Sequence, residues 1–229
     1  MGKILHIETS AAYCSVSIAV DGIGVSEETA TAVNDHIGHL TLLIEKVCGS
    51  AAIPLKQMDA VAVSSGPGSY TGLRIGVSTA KGICQALNIP LISVNSLESM
   101  VYGIKDKFTG SDVLFCPLID ARRMEVYTLI ADMSGTILVP QQAYIVNEGH
   151  LLQDMLTKNR IVFFGTGLNK CKELLNHSNA IFYDDFIQTS TSMHFLANRQ
   201  FSNSVFEDIA YFEPLYIKEF YTTQKIKNA

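Results

Sequence analysis

Long hydrophobic runs, a surplus of positive charge and paired cysteines are all missing from this chain. No run reaches about 18 apolar residues, and Met1-Gly2-Lys3 leads straight into Ile4-Leu5-His6-Ile7 without an adequate signal-peptide core. A soluble, cytoplasmic protein with no membrane partner is therefore expected. The five cysteines (Cys14, Cys48, Cys84, Cys116, Cys171) are odd in number, scattered, and lack C-x-x-C spacing. They read as small buried hydrophobes in a reducing compartment, not as a disulfide framework. With 17 basic against 22 acidic residues the net charge is −5. That disfavours broad nucleic-acid binding by this chain alone, because phosphate neutralisation supplies most such affinity, so RNA would be reached only through a basic partner. The phosphate-loop pattern G-x-x-x-x-G-K-[ST] is also missing, since Gly66 and Gly72 are wrongly spaced and Leu73-Arg74 follows. Ser78-Thr79-Ala80-Lys81 fits the S-x-x-K of penicillin-binding serine enzymes, but the companion K-T-G occurs nowhere.

What is present is ample apolar material for a core, 48% of residues, organised around Ser64–Leu87. An apolar run, Ala60–Val63, ends in Gly66-Pro67-Gly68, where a strand must turn sharply. Ser69 or Thr71 then caps a helix in which Leu73, Gly76, Val77, Ala80, Ile83, Cys84 and Leu87 recur at three- and four-residue spacing. Gly72, Gly76 and Ala80 lie four apart and leave a groove that another helix can approach closely. A glycine inside a helix costs about 1 kcal/mol relative to alanine, so two of them call for a packing reason. A plain strand–turn–helix connection, an anion site at the helix N-terminus and a partner-binding face all remain open.

In chain order, Lys3–Glu8, Tyr13–Val20 and Ile23–Thr29 read as a three-stranded meander. Asn34 or Asp35 can cap a helix from His36 to about Gly49, with Ile37, Leu40, Ile44, Val47 and Cys48 on one stripe and Leu42 and Leu43 outside it. A helix apolar on more than one side must be covered on both. His36 and His39 can share a face, but no third metal ligand stands at a suitable spacing, so a solvated or interface pair is the reading. Met58–Ser65 and Leu91–Val94 are strands and Ser96–Ile104 a helix, while Lys105–Asp112 is the candidate hinge. The second half repeats the opening with Val113–Ile119, Met124–Ala131 and Thr136–Val139. A helix over Asn147–Thr157, a strand over Arg160–Phe164, a glycine turn at Gly165-Thr166-Gly167 and helices over Leu168–Leu175 and near Ser192–Asn203 follow. The turn can bring backbone close to an adenine or a phosphate, or serve structure alone. Tyr211, Phe212, Tyr216, Phe220 and Tyr221 crowd the tail, to pack on a core or meet a partner. Two α/β subdomains result, 1–104 and 105–229, with the tail available to pack back on the first.

Five stretches carry a resemblance: Ile4–Ser10, Ser65–Gly76, Ala80-Lys81-Gly82, Asp120-Ala121-Arg122 through Glu125-Val126-Tyr127, and Glu213–Lys218. In order and at matching spacing, they resemble the bacterial TsaB (YeaZ) family. The resemblance implies an actin/sugar-kinase/Hsp70-like duplicated fold. It also implies a role in threonylcarbamoyl modification of the adenosine beside the anticodon in tRNAs that read codons starting with A. The implied partners are a TsaD-like paralogue, which transfers the group, and a TsaE-like ATPase, with tRNA met only through the complex. ATP and a divalent metal are expected in those partners and no cofactor in this chain.

TsaD-like paralogues carry two metal-binding histidines four apart after the strand matching Leu91–Val94. Here Ser96 and Met100 stand at those positions, which implies that the transferase centre is lacking. Glu8 stands where actin-like ATPases usually place an Asp. The expected interface is helical, comprising His36, His39, Leu40, Leu43, Tyr70, Leu73, Arg74, Gly76, Val77 and Ala80, with Gly76→Arg expected to block assembly without unfolding. The alternative is an ATPase or glycopeptidase-like enzyme acting alone. A third reading is a homodimer through the same helices.

Overall fold

Two strand–turn–strand–turn–strand openings build two five-stranded mixed sheets with the same internal order. The computed structural model describes residues 2–30, 36–110, 112–147 and 150–218, and the side chains of His36 and Ile37 lie outside that description. So do the Asn34 and Asp35 caps and the aromatics Phe220 and Tyr221. In the first sheet, β1 (Lys3–Glu8), β2 (Ser15–Val20) and β3 (Ile23–Thr29) form the antiparallel meander. β4 (Ala60–Gly66) and β5 (Leu91–Asn95) add in parallel on the other side of β1, after α1 (His36–Ala51) and α2 (Tyr70–Leu87) respectively. The second sheet repeats this with β6 (Val113–Asp120), β7 (Glu125–Ala131), β8 (Ile137–Ile145), β9 (Arg160–Phe164) and β10 (Ala180–Tyr183), with α4 (Leu151–Leu156) and α5 (Leu168–Lys172) between the later strands.

The period-two alternation of strands decides what each face of the first sheet meets. Leu5 and Ile7 of β1, with Val61 and Val63 of β4, point to α1 and α2 and bury Leu40, Leu43, Val47, Val77, Ala80 and Cys84. Ile4, Ala60, Ala62, Ile92 and Val94 point the other way, onto Met193, Leu196 and Ala197. The last two belong to α6 (His194–Ser202), from the second half of the chain. Conversely α3 (Ser96–Ile104) buries Leu97, Met100, Val101 and Ile104 with Val113, Phe115, Val162 and Phe164 of the second sheet. The packing boundary therefore crosses the chain boundary at residue 104. Each half lends a helix to the other.

Several expected bounds shift for physical reasons. β8 was expected to stop at Val139 but runs through Pro140 to Ile145, because an edge strand tolerates a residue without an N–H. The expected helix over 147–157 is the shorter α4, and α5 ends at Lys172. β10 has four residues, too few for a periodic signal. Ser69, not Thr71, caps α2: its Oγ accepts from Gly72 N at 3.2 Å. All five cysteines are free, and burial pushes the Cys14 and Cys116 thiols up to about 12, as expected of inert apolar packing. Among the described residues no helix is long and apolar enough to cross a membrane.

Candidate functional site

β1 ends in Glu8, wholly buried on the face that α6 and the preceding segment cover. Glu8 Oε1 accepts from the Ser10 amide and the Ser10 hydroxyl, both at 2.6 Å, and Oε2 accepts from Gln188 Nε2 at 2.9 Å. Ser10 Oγ in turn accepts from Gln188 Nε2 at 3.0 Å and from Ser96 Oγ at 3.1 Å. Burial pushes the Glu8 carboxyl above the ordinary carboxylate range, while hydrogen bonds from Ser10, Gln188 and Ser64 pull the other way. The network ties β1, α3 and the segment at Gln188 into one buried polar knot with its acceptors filled. Removing one donor strands a buried carboxylate oxygen, so Gln188→Leu is expected to cost about 2 kcal/mol. A urea titration with unchanged m-value checks this.

The Thr9–Ser10 turn is sealed from outside by α2. An added Cβ at Gly68 would lie 2.5 Å from Ser10 O, at Gly72 2.0 Å from Thr9 O, and at Gly76 2.2 Å from Thr9 Oγ1. The small-residue groove offered by sequence to a partner helix is thus filled by the chain's own β1–β2 turn. Gly76 is a core residue, and the expectation that Gly76→Arg spares folding is corrected. At the start of α2, Gly72 N donates to Ser69 Oγ, and the amide of the cap residue itself, Ser69 N, donates to Ser10 O at 2.8 Å.

The positions where transferase-type histidines were expected are committed internally. Ser96 is fully buried and donates to Ser10, and Met100 packs against the glycine turn, where a Cβ on Gly165 would meet its Cε at 2.5 Å. That turn packs on Leu118 and Val126 through Gly165 and Gly167, with Thr166 exposed. Among the described residues no group of three or more His, Cys, Asp and Glu side chains could hold a metal ion.

The tail straps the two halves together. Leu215 N donates to Ser65 O at 2.7 Å beside the central turn. Tyr216 lies 5.2 Å from Tyr70, and Arg74 Nε donates to its hydroxyl at 3.2 Å while the guanidinium sits 4.1 Å over the Tyr70 ring. Two residues further on, Lys218 pairs with Glu125 and lies 6.0 Å from the Tyr127 ring centre. Lys170 pairs with Asp120, so the second-half motif is braced from both sides. The resemblance-bearing stretches Ser65–Gly76, Asp120–Tyr127 and Glu213–Lys218 converge on this one rim.

The same inner face holds a buried imidazole pair. His6 and His194 rings are 4.5 Å apart, His194 Nε2 is bonded to Ser17 Oγ at 2.8 Å, and neither His6 ring nitrogen has a partner among the described residues. Burial lowers both pKa values, His194 to about 4.

Of the expected interface residues, Leu40, Leu43, Leu73, Gly76, Val77 and Ala80 are buried in this chain's own core, so their side chains are not available to a second molecule. His39, Tyr70 and Arg74 reach the surface, and the His36 side chain lies outside the described residues. The surplus apolar residue of α1 is Leu42, 51% exposed, not Leu43. On α2 the exposed residues are Thr71, Arg74, Ser78, Gly82, Gln85 and Ala86, and a Cβ at Gly82 meets nothing within 4 Å. Gln188, Ser190 and His194 escaped sequence reasoning because no local motif marks them. Their partners are the Glu8 carboxylate and the Ser15 and Ser17 hydroxyls near the start of the chain.

Comparison with known proteins adds the relationships. The sequence model of the family described as TsaD, tRNA N6-adenosine threonylcarbamoyltransferase, matches residues 22–223. The tRNA threonylcarbamoyladenosine biosynthesis protein TsaB of Escherichia coli (strain K12) is 33% identical over 125 residues, 55% of this chain and 53% of that protein. The TsaB protein of Bacillus subtilis (strain 168) is 29% identical over 164 residues, 70% of this chain and 69% of the relative. Several such matches span only about half the length of the relative. A Pseudomonas aeruginosa crystal structure with similarity to peptidase YeaZ superposes with a TM-score of 0.83 at 21% identity, covering 95% of this chain and 100% of that one. The activator of 2-hydroxyisocaproyl-CoA dehydratase from Clostridium difficile, solved with ADPNP bound, superposes at 0.53 with 11% identity over 88% of this chain and 96% of its own. The duplicated actin-like fold is thereby established.

Proposed function

Since the chain belongs to the TsaD family of tRNA N6-adenosine threonylcarbamoyltransferases, and within it to the TsaB (YeaZ) proteins, we propose that it is a non-catalytic subunit supporting a TsaD-like paralogue in tRNA threonylcarbamoyladenosine formation. The observation that carries this is the internal commitment of Ser96 and Met100, together with the buried Glu8–Ser10–Gln188 knot at the end of β1. Side chains held by buried partners are poorly placed to bind a nucleotide or metal. ATP and divalent metal chemistry then belongs to the TsaD-like subunit and a TsaE-like ATPase that joins it.

The partner surface we assign is the outer side of α1 and α2, which cover the same face of the first sheet. Leu42 supplies an apolar knob, and Thr71, Ser78 and Gly82 form a low stripe onto which a helix can close, with Tyr70 and Arg74 at its end. A second copy of this chain would pair there when the paralogue is absent. The test is light scattering on a size-exclusion column with the cognate TsaD-like protein. Co-elution is expected for the natural chain. Gly82→Arg combined with Leu42→Glu should weaken it at least tenfold while circular dichroism stays unchanged. A folded double variant that still co-elutes would move the interface elsewhere.

A further inference from the structure

The turn joining β6 to β7 places Arg122 and Arg123 at successive left-handed positions, φ +66° and +50°. Side chains with a Cβ adopt that backbone at a cost, and Asn and Gly are the residues that take it most readily. Arg122 N donates to Asp120 Oδ1 at 2.6 Å, and Glu125 N donates to Arg122 O at 3.2 Å, so the backbone is well held. Both arginines are exposed, and neither guanidinium has a hydrogen bond or ion pair among the described residues. The backbone does not require arginine here.

Close by, three residues along the tail from Leu215 to Lys218, the strap joins this hairpin to the Tyr70–Arg74–Tyr216 cluster. Three residues span at most about 11 Å. The rim thus combines two exposed guanidinium groups, without a hydrogen bond or ion pair among the described residues, with a tyrosine pair and a third guanidinium lying over the Tyr70 ring, in a chain whose net charge is −5. Planar cations take phosphate oxygens in bidentate fashion, and exposed rings stack unpaired bases, the combination by which looped RNA is recognised. An acidic peptide would use the arginines but leave the partly exposed Tyr216 ring without a matching partner.

We propose that this rim contacts RNA directly, with Arg122 and Arg123 holding phosphates of a tRNA loop and Tyr216 stacking on a base. The inference rests on the functional reading above in taking tRNA as the RNA, and it departs from the expectation that RNA is met only through the partner.

The probe is an unmodified tRNA transcript, titrated by fluorescence anisotropy against the full chain with and without the TsaD-like protein. The key variant is Arg122→Asn with Arg123→Gly, which suits the left-handed turn better than the natural pair and should raise thermal stability slightly. It is expected to weaken tRNA binding tenfold or more and to lower the slope of log affinity against log salt by about 1.4, two phosphate contacts to a single strand. Tyr216→Ala should cost about tenfold with the salt slope unchanged. If the natural chain and both variants bind the transcript alike, or none binds with or without the partner, the proposal is wrong. A variant that keeps tRNA affinity but loses binding to poly-glutamate makes the rim an acidic-protein site and overturns it. Failure of the natural chain to co-elute with the paralogue, with arginine-dependent tRNA binding intact, would instead sink the subunit reading alone.

Discussion

Gly72→Ala is expected to destabilise the protein by about 2 kcal/mol, and Gly82→Ala, later in the same helix, to stabilise it by about 1 kcal/mol. In an isolated helix both changes would help, since alanine is the better helix former. Surroundings reverse the sign at Gly72. A Cβ there would stand 2.0 Å from the carbonyl oxygen of Thr9, a backbone atom that cannot swing away. Relief requires lifting the β1–β2 turn, whose Thr9 amide is bonded to Ser64 Oγ and whose Ser10 is bonded to Glu8. Overpacking of this kind costs about 1–3 kcal/mol, and the helix-propensity gain offsets only part of it. In a chain of this size the melting temperature should fall by about 4–8 °C for Gly72→Ala and rise by about 2–4 °C for Gly82→Ala. Thermal denaturation followed by circular dichroism reads both. Equal shifts of the same sign would mean that α2 does not seal the turn.

Acid is expected to weaken the fold through His6 and His194 well before carboxylates paired at the surface are titrated. The two imidazoles face each other between the first sheet and the start of α6, with Ser17 of β2 and Gly24 of β3 beside His194. Their folded pKa values are depressed, so below about pH 6.5 the unfolded chain takes up protons that the folded chain refuses. Stability therefore falls as the pH drops from 6.5 toward the folded value, about 4 for His194. From pH 6.5 to 5 the loss through His194 is about 1.6 kcal/mol, and His6 adds to it in the same direction. Glu8 acts in the opposite sense. Its raised pKa gives a contribution that is complete below the ordinary carboxylate value and lost as pH rises through the folded one, so it trims the acid loss. Urea unfolding at pH 7.5 and pH 5 should show the decline, and His6→Leu should remove about half of it. An unaltered pH slope in His6→Leu would assign the effect to other groups.

A good deal of the fold is legible along the chain because it is written at short range. The meander of β1 to β3 and its repeat in β6 to β8 follow from alternation and turn residues, and the β4–α2 junction from Gly66-Pro67-Gly68 and the Ser69 cap. β8 ran past Pro140 because proline bars a central strand and not an edge, and edge position is a property of the sheet. Leu42 and Leu43 illustrate the limit for interfaces. Both lie off the main stripe of α1, and only the rotation of the helix on the sheet buries one and exposes the other. Likewise nothing local separates Gly72 and Gly76, filled by Thr9, from Gly82, which is open.

The sequence by itself determined the element types, the duplicated order of the strands and the family-bearing stretches, since hydrophobic period, caps and turn residues act within a few positions. Only the tertiary structure decided which residues share the buried polar knot and which stay exposed. Glu8 meets Gln188 across 180 positions of chain and Ser17 meets His194 across 177, and no periodicity reaches that far. A pattern tells that a face must be covered, and the packing of distant segments determines what covers it.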